Sequence, residues 1–212
     1  MRITLLLVSI ILFAGAPLAH CADSKEYAGR KFSLRGGYSE MQTGNWDFFY
    51  PDEITFLGFD FGWKFTRQLG LDLGATYSKT TVSALTTSGR GSGEQASARL
   101  VPVELSLVVN FDFMKDQVIV PYAAGGYTHT FYRVTMNNDD RQGDLSGYHV
   151  KGGLRFLLDS LEPDAAEKFK NQWGIENTYL FGEYYMSEVD DFGSEENDLG
   201  SKGVFGGLVF EF

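Results

Sequence analysis

Between Thr55 and Phe65 the chain alternates residue by residue. The odd positions read Thr55, Leu57, Phe59, Phe61, Trp63 and Phe65, and the even ones include Gly58, Asp60, Gly62 and Lys64. Only an extended strand sends every second side chain to the same face. This segment is therefore a strand with one bulky apolar face and one small or charged face. After a turn at Thr66 to Gln68 the pattern resumes, with Leu71, Leu73, Ala75 and Tyr77 against Asp72, Gly74, Thr76 and Ser78. It recurs at Val101, Val103, Leu105, Leu107, Val109 and Phe111 against Pro102, Glu104, Ser106 and Asn110. A fourth case sets Tyr148, Val150, Gly152, Leu154 and Phe156 against His149, Lys151, Gly153 and Arg155.

Four less regular segments complete a set of eight: Arg30 to Met41, Val118 to Val134, Ile175 to Met186 and Lys202 to Phe212. For Val118 to Val134 the reading places the even positions outward (Val118, Val120, Tyr122, Ala124), which puts His129 and Arg133 inside. Soluble strands average about five or six residues, whereas a membrane-crossing strand needs about 9–11, and these segments have the longer span. Gly58, Gly62, Gly74, Ser78, Ser106 and Gly153 are too small and uncharged for the solvated exterior of a soluble barrel. They suit a narrow packed lumen. The expected fold is all-β, an eight-stranded antiparallel up-and-down transmembrane β-barrel. Gly44-Asn45-Trp46 spells the G-x-W of lipocalins, but it falls in a link after the first strand.

The links alternate. Gln42 to Asp52, Thr80 to Gln95, Thr135 to Ser146 and Ser187 to Ser201 are long and polar, while Thr66 to Gln68 and Asp112 to Gln117 are short. Long outer and short periplasmic connections are the habit of outer-membrane barrels. Asp159 to Trp173 breaks it. Leu161, Ala165, Phe169 and Trp173 recur every fourth residue, with Pro163 at the start and Gly174 after the end, so a short periplasmic helix is expected between strands 6 and 7, at the rim or plugging the lumen.

Residues 1–21 read as a signal peptide: Arg2, an apolar run from Ile3 to Ala14, then Gly15, Ala16, Pro17 and Ala19, with cleavage expected before Ala22. A lipoprotein reading of Leu18 to Cys21 is disfavoured by His20. Residues 22–212 form the barrel domain. A formal charge of −10 with no basic cluster excludes a nucleic-acid partner, and 15% aromatic with 43% hydrophobic residues excludes disorder. One cysteine cannot supply a disulfide framework.

The chain ends GVFGGLVFEF. Phe212, Phe210 and Gly207 resemble the C-terminal insertion signal of outer-membrane barrels, although Phe205 stands where that signal usually has a polar residue. With the segments Val101 to Leu105 and Val120 to Gly126, the mature chain resembles the small outer-membrane barrels of the OmpA, OmpX and OmpW type. The resemblance implies outer-membrane localisation, outer-membrane lipids, lipopolysaccharide and the barrel-assembly machinery as partners, and a monomer. It identifies no substrate.

Interior charges Asp60, Lys64, Asp72, Glu104, Lys151, Arg155 and Glu183 are expected to pair across the lumen, since buried charges need partners. Trp46, Phe48, Phe49 and Tyr50 crowd the first outer link, as girdle or contact aromatics. His129 and His149 are the mature histidines; Thr128 and Thr130 offer hydroxyls, but no His-x-Ser arrangement and no placed carboxylate accompany them. The acids Asp139, Asp140, Asp144, Glu188, Asp190, Asp191, Glu195, Glu196 and Asp198 lack EF-hand spacing. They leave weak bridging of divalent cations to lipopolysaccharide phosphates as the metal reading. The sequence thus favours a non-enzymatic structural or surface-interaction role without cofactor or metal. A narrow channel for small solutes is the alternative, and a lipid-modifying enzyme the second alternative. If the terminal resemblance is functional, deleting Phe212 leaves export intact and lowers the amount of inserted barrel. Unchanged insertion on fractionated membranes would contradict it.

Overall fold

The computed structural model describes residues 29–41, 53–85, 91–114, 117–136, 139–193 and 198–212. Eight strands form one closed barrel in chain order. They are β1 (Arg30–Met41), β2 (Glu53–Lys64), β3 (Leu69–Leu85), β4 (Gly91–Asn110), β5 (Ile119–Met136), β6 (Asp139–Leu157), β7 (Asn177–Glu188) and β8 (Ser201–Glu211). Each strand pairs antiparallel with its sequence neighbours, and β8 pairs with β1 in a register that sets Arg35 against Gly207. The seam is sealed by reciprocal backbone bonds, Arg30 N–H to Phe212 O at 3.2 Å and Phe212 N–H to Arg30 O at 2.9 Å. Closure leaves no unpaired edge, which a wall in contact with hydrocarbon requires.

The polarity is inverted relative to a soluble barrel. On β2, Leu57 is 67% exposed and Phe61 51%, whereas Asp60 between them is 6% exposed. The same alternation holds on β3, β4, β6 and β8. On β5 the expected orientation is reversed: Val120, Tyr122 and Ala124 are buried, and Tyr127 and Phe131 face outward with Arg133. The cause is an apolar patch inside the lumen, where Val120 and Tyr122 join Val108, Tyr179, Phe181 and Val209. Apolar residues then occupy both faces of the strand, and the rule of apolar-outward loses its power.

Two expected loops are largely strand. β3 and β4 pair from Leu69↔Val109 up to Leu85↔Gly91, and β5 and β6 pair as far as Met136↔Asp139. The described residues of Thr80 to Gln95 and of Thr135 to Ser146 are therefore paired strand rather than loop. Arg133 binds Asp140 across this hairpin, and Thr135 donates to Asp140 Oδ1 at 3.2 Å. This hydrogen bond from Arg133 holds the Asp140 carboxyl below its ordinary range.

A 3-10 turn (Leu158–Ser160) leads into α1 (Pro163–Trp173), the expected helix. Pro163 opens it, and Gly174 closes it at φ 69°, its N–H bonding Lys170 O at 3.1 Å. The helix buries none of its residues and rests on the turn and β7, so it stands at the rim and does not plug the lumen. The expected signal peptide and the aromatics Trp46, Phe48, Phe49 and Tyr50 lie outside the described residues.

Candidate functional site in the lumen

Period two on eight strands aims every second side chain at the barrel axis, and the lumen receives charges from nearly every strand. Asp60 and Lys64 come from β2, Asp72 from β3, Glu104 from β4, Lys151 and Arg155 from β6, and Glu183 from β7. Sequence reasoning missed Lys31 and Arg35 on β1, Asn110 on β4, Tyr122 on β5 and Glu211 on β8. Their signal was present in the alternation of Lys31, Ser33 and Arg35 with Phe32 and Leu34, and in Glu211 lying between Phe210 and Phe212.

Arg35 is the hub. Its Nη2 lies 2.9 Å from Glu104 Oε2, its Nε 3.6 Å from Asp60 Oδ1 and its Nη1 3.6 Å from Glu183 Oε1. None of these three nitrogens makes a well-aligned hydrogen bond, so charge rather than a fork geometry holds the guanidinium. Its Cζ also lies over the Phe205 ring, 5.5 Å from the ring centre. Lys151 reaches Glu104 Oε2 at 3.4 Å, and the Tyr122 hydroxyl donates to Glu183 Oε2 at 2.6 Å. Toward the short-connection end Lys31 meets Asp72 Oδ2 at 2.8 Å, and Lys64 donates to both oxygens of Glu211 at 2.9 and 3.0 Å. Arg155 donates to Asn110 Oδ1 at 2.8 Å while lying 4.3 Å over the Tyr122 ring. Cations Lys31, Arg35, Lys64, Lys151 and Arg155 thus face an equal set of carboxylates, Asp60, Asp72, Glu104, Glu183 and Glu211. Such balance is what a low-dielectric interior demands.

Glycines make this layer possible. A Cβ at Gly62 would collide with the Lys31 chain and the Asp72 carboxylate, and one at Gly74 with the Asp60 carboxylate. His149 is pinned between hydroxyls, Ser106 Oγ 2.8 Å from Nε2 and Thr128 Oγ1 2.7 Å from Nδ1, and stacks on Tyr185. At 1% exposure this serine–histidine contact meets no substrate and serves packing.

Apolar side chains close both ends. Ile54, Phe56, Leu100, Leu145, Tyr185 and Phe205 cluster toward the long connections, and the patch around Val108 and Val209 lies toward the short ones. Among the described residues, a lumen cavity of about 20 Å³ lies between Phe56, Glu104 and Tyr185, and another of about 20 Å³ between Asp60, Lys151 and Tyr122. Each has room for roughly one water.

Beyond the strand ends, burial pushes the Asp112 carboxyl up against the pull of Arg67, and burial likewise raises Asp159 against the bond from the Thr178 amide. Raised carboxyls cost stability as pH climbs from their ordinary range through the raised values, so neither is a stabilising rim charge. Of the insertion-signal residues, Gly207 faces Arg35 and Phe181 in register, Phe210 is half-buried, and Phe212 is exposed at the seam. Among the described residues no three or more His, Cys, Asp or Glu side chains gather as a metal site. Glu195 and Glu196 lie outside the described residues.

No family model matches the chain, and no curated protein matches it. Solved structures do. Neisserial surface protein A superposes with a TM-score of 0.60 at 12% identity, over 86% of this chain and 97% of that one. The outer membrane protein OprG from Pseudomonas aeruginosa gives 0.53 at 16% identity, over 88% and 97%. The N-terminal β-barrel domain of Pseudomonas aeruginosa OprF gives 0.50 at 12%, over 88% and 100%. The fold is that of the small outer-membrane barrels. At such low identity the likeness extends to architecture alone, and the lumen chemistry has to be argued from this chain's own side chains.

Removing Arg35 leaves three carboxylates facing one another with Lys151 as the remaining near cation. Arg35→Met is expected to lower unfolding stability by about 3–5 kcal/mol in urea titrations of vesicle-embedded protein. Adding Glu104→Gln should recover part of the loss. A change below about 1 kcal/mol would mean that Arg35 does not hold the lumen.

Proposed function

We propose that this chain is an outer-membrane barrel with a closed lumen and a structural or surface-interaction role. The observation that carries the reading is the apolar wall. Leu34, Phe61, Leu73, Leu105, Leu154, Leu180 and Val204, from seven of the strands, are each well exposed on the outside. On β5, Tyr127 and Phe131 continue the band. An exposed apolar surface this continuous is incompatible with water as its neighbour and suits lipid. Tyr38, Tyr77, Tyr127, Tyr148 and Tyr184 stand outside toward the long connections, and Trp63, Phe65, Phe111 and Phe212 toward the short ones. Aromatic belts at both ends are how such walls meet the two interfaces.

In this reading the short connections and α1 face the periplasm, and the long hairpins face outward. The partners are outer-membrane lipids and lipopolysaccharide, with the assembly machinery reading the terminal strand through Gly207, Phe210 and Phe212. The chain is exported by residues 1–21 and works as a monomer. A passage for small solutes is the weaker reading, because the charged layer and both apolar clusters would have to rearrange together before anything larger than water could pass.

Planar-bilayer recordings on refolded protein test the closed lumen. The expected trace is silent. Steady discrete openings at moderate voltage would replace this reading with the channel.

A further inference from the structure

The reversed orientation of β5 puts His129 on the outside of the barrel, where it meets β6. His129 and Ser146 are direct register partners, and Asp144 lies two residues further along the same face of β6. Ser146 Oγ is 3.0 Å from His129 Nδ1, and His129 Nε2 is 3.4 Å from Asp144 Oδ2. The order is hydroxyl, imidazole, carboxylate, which is the order a nucleophile, its base and an orienting acid require. We propose that Ser146, His129 and Asp144 form a hydrolytic site that cleaves an acyl ester of a lipid in the outward-facing leaflet.

Three further observations point the same way. The imidazole is held by aromatics: Phe131 meets it edge-on at 4.7 Å, Tyr127 stacks at 6.4 Å, and Phe192 stacks on Tyr127 at 6.3 Å. The β7–β8 link is fastened beside the serine. Ser146 N–H donates to Asp191 Oδ1 at 2.7 Å and Asp191 N–H donates to Ser146 O at 2.9 Å. Asp191 and Phe192 sit at φ 51° and 59°, a region that residues with a Cβ seldom occupy, so the fold holds this link in place against local preference. The third is depth. Tyr127 belongs to the outer aromatic belt, and His129 with Ser146 lies one outward-facing position beyond it, about 6–7 Å along the strand. Lipid ester linkages occupy that junction between hydrocarbon and headgroups, and the exposed Phe131 and Phe192 give an acyl chain an apolar surface.

The chemistry balances with water as the second reactant. With Nδ1 unprotonated and Nε2–H facing Asp144, His129 takes the Ser146 hydroxyl proton as Oγ bonds to the ester carbonyl carbon. The carbon–oxygen bond to the alcohol then breaks, and the same proton passes from His129 to the leaving oxygen. Water attacks the acyl-serine, gives its proton to His129, and releases the fatty acid as that proton returns to Ser146. The Tyr127 hydroxyl donates to Ser146 Oγ at 2.8 Å in the free site and would have to turn to the carbonyl oxygen as Oγ bonds to carbon in order to serve the developing oxyanion. Asp144 is a positioning residue that acts through His129.

The inference rests on the membrane reading, and the experiment separates the two. Full-length protein refolded into phospholipid vesicles containing lipopolysaccharide is treated with a long-chain alkyl fluorophosphonate, and the modified residue is found by mass spectrometry. p-Nitrophenyl decanoate in the same vesicles reports turnover. Labelling is expected at Ser146. Ser146→Ala should abolish labelling and turnover, and His129→Asn should lower both by about 100-fold or more. Asp144→Asn should lower kcat with KM unchanged and Asp144→Glu should restore part of it, whereas Ser97→Ala, an outward hydroxyl on β4, should change neither. Gel migration with and without heating confirms that each variant is a folded barrel. A folded, inserted protein left unlabelled at Ser146 would overturn the site. A chain that labels in detergent but never enters vesicles would overturn the lipid substrate and the membrane reading together, while sparing the serine's reactivity.

Discussion

The contact of Arg35 with Asp60, Glu104 and Glu183 is the interaction on which the interior depends. It ties β1 to its neighbour β2 and also to β4 and β7, strands that no backbone ladder joins to β1. Its cost is desolvation of every partner, which only a complete and balanced set can offset. That requirement explains the glycines at 62 and 74, which leave space for Lys31, Asp72 and Asp60 where any larger residue would collide. It also explains the apolar clusters at either end, since they exclude the water that would weaken each charge pair.

A lumen filled in this way has little chemistry left to offer. His149 lies beside a serine but is sealed from every substrate, and the two cavities hold about a water each. Interaction with other molecules is therefore displaced to the outer wall and to the hairpins that β3 through β6 extend beyond it. The same alternation that sends charges inward sends His129, Ser146 and Asp144 outward, at the β5–β6 seam, where Asp191 is hydrogen-bonded to Ser146.

Much of this was legible in the sequence, and the exceptions have physical causes. β2 and β3 could be read residue by residue because their inner face is charged or small and their outer face apolar, so period and polarity agree. β5 was read inside out because Val120 and Tyr122 line an apolar part of the lumen. Tyr122 also has a polar errand there, its hydroxyl serving Glu183 and its ring supporting Arg155. Lys31 and Arg35 were overlooked because Gly36 and Gly37 blur the alternation of β1. The proximity of Ser146 to His129 was beyond reach, since it depends on the register of a hairpin that polar composition disguises as a loop. Helix α1 was plain from Pro163, Gly174 and its four-residue spacing, but its position at the rim rather than in the lumen depends on how the strands before and after it end.

The central claim is that the barrel carries its apolar face outward into lipid. Spin labels placed singly at Phe61 and Asp60, after replacement by cysteine, test it most directly, because the chain's single cysteine, Cys21, falls within the expected leader. In reconstituted vesicles the label at 61 should relax strongly with oxygen dissolved in the bilayer, and the label at 60 should be shielded from it. The opposite pattern, with 60 accessible and 61 protected, would describe a barrel with an apolar interior and would contradict the account.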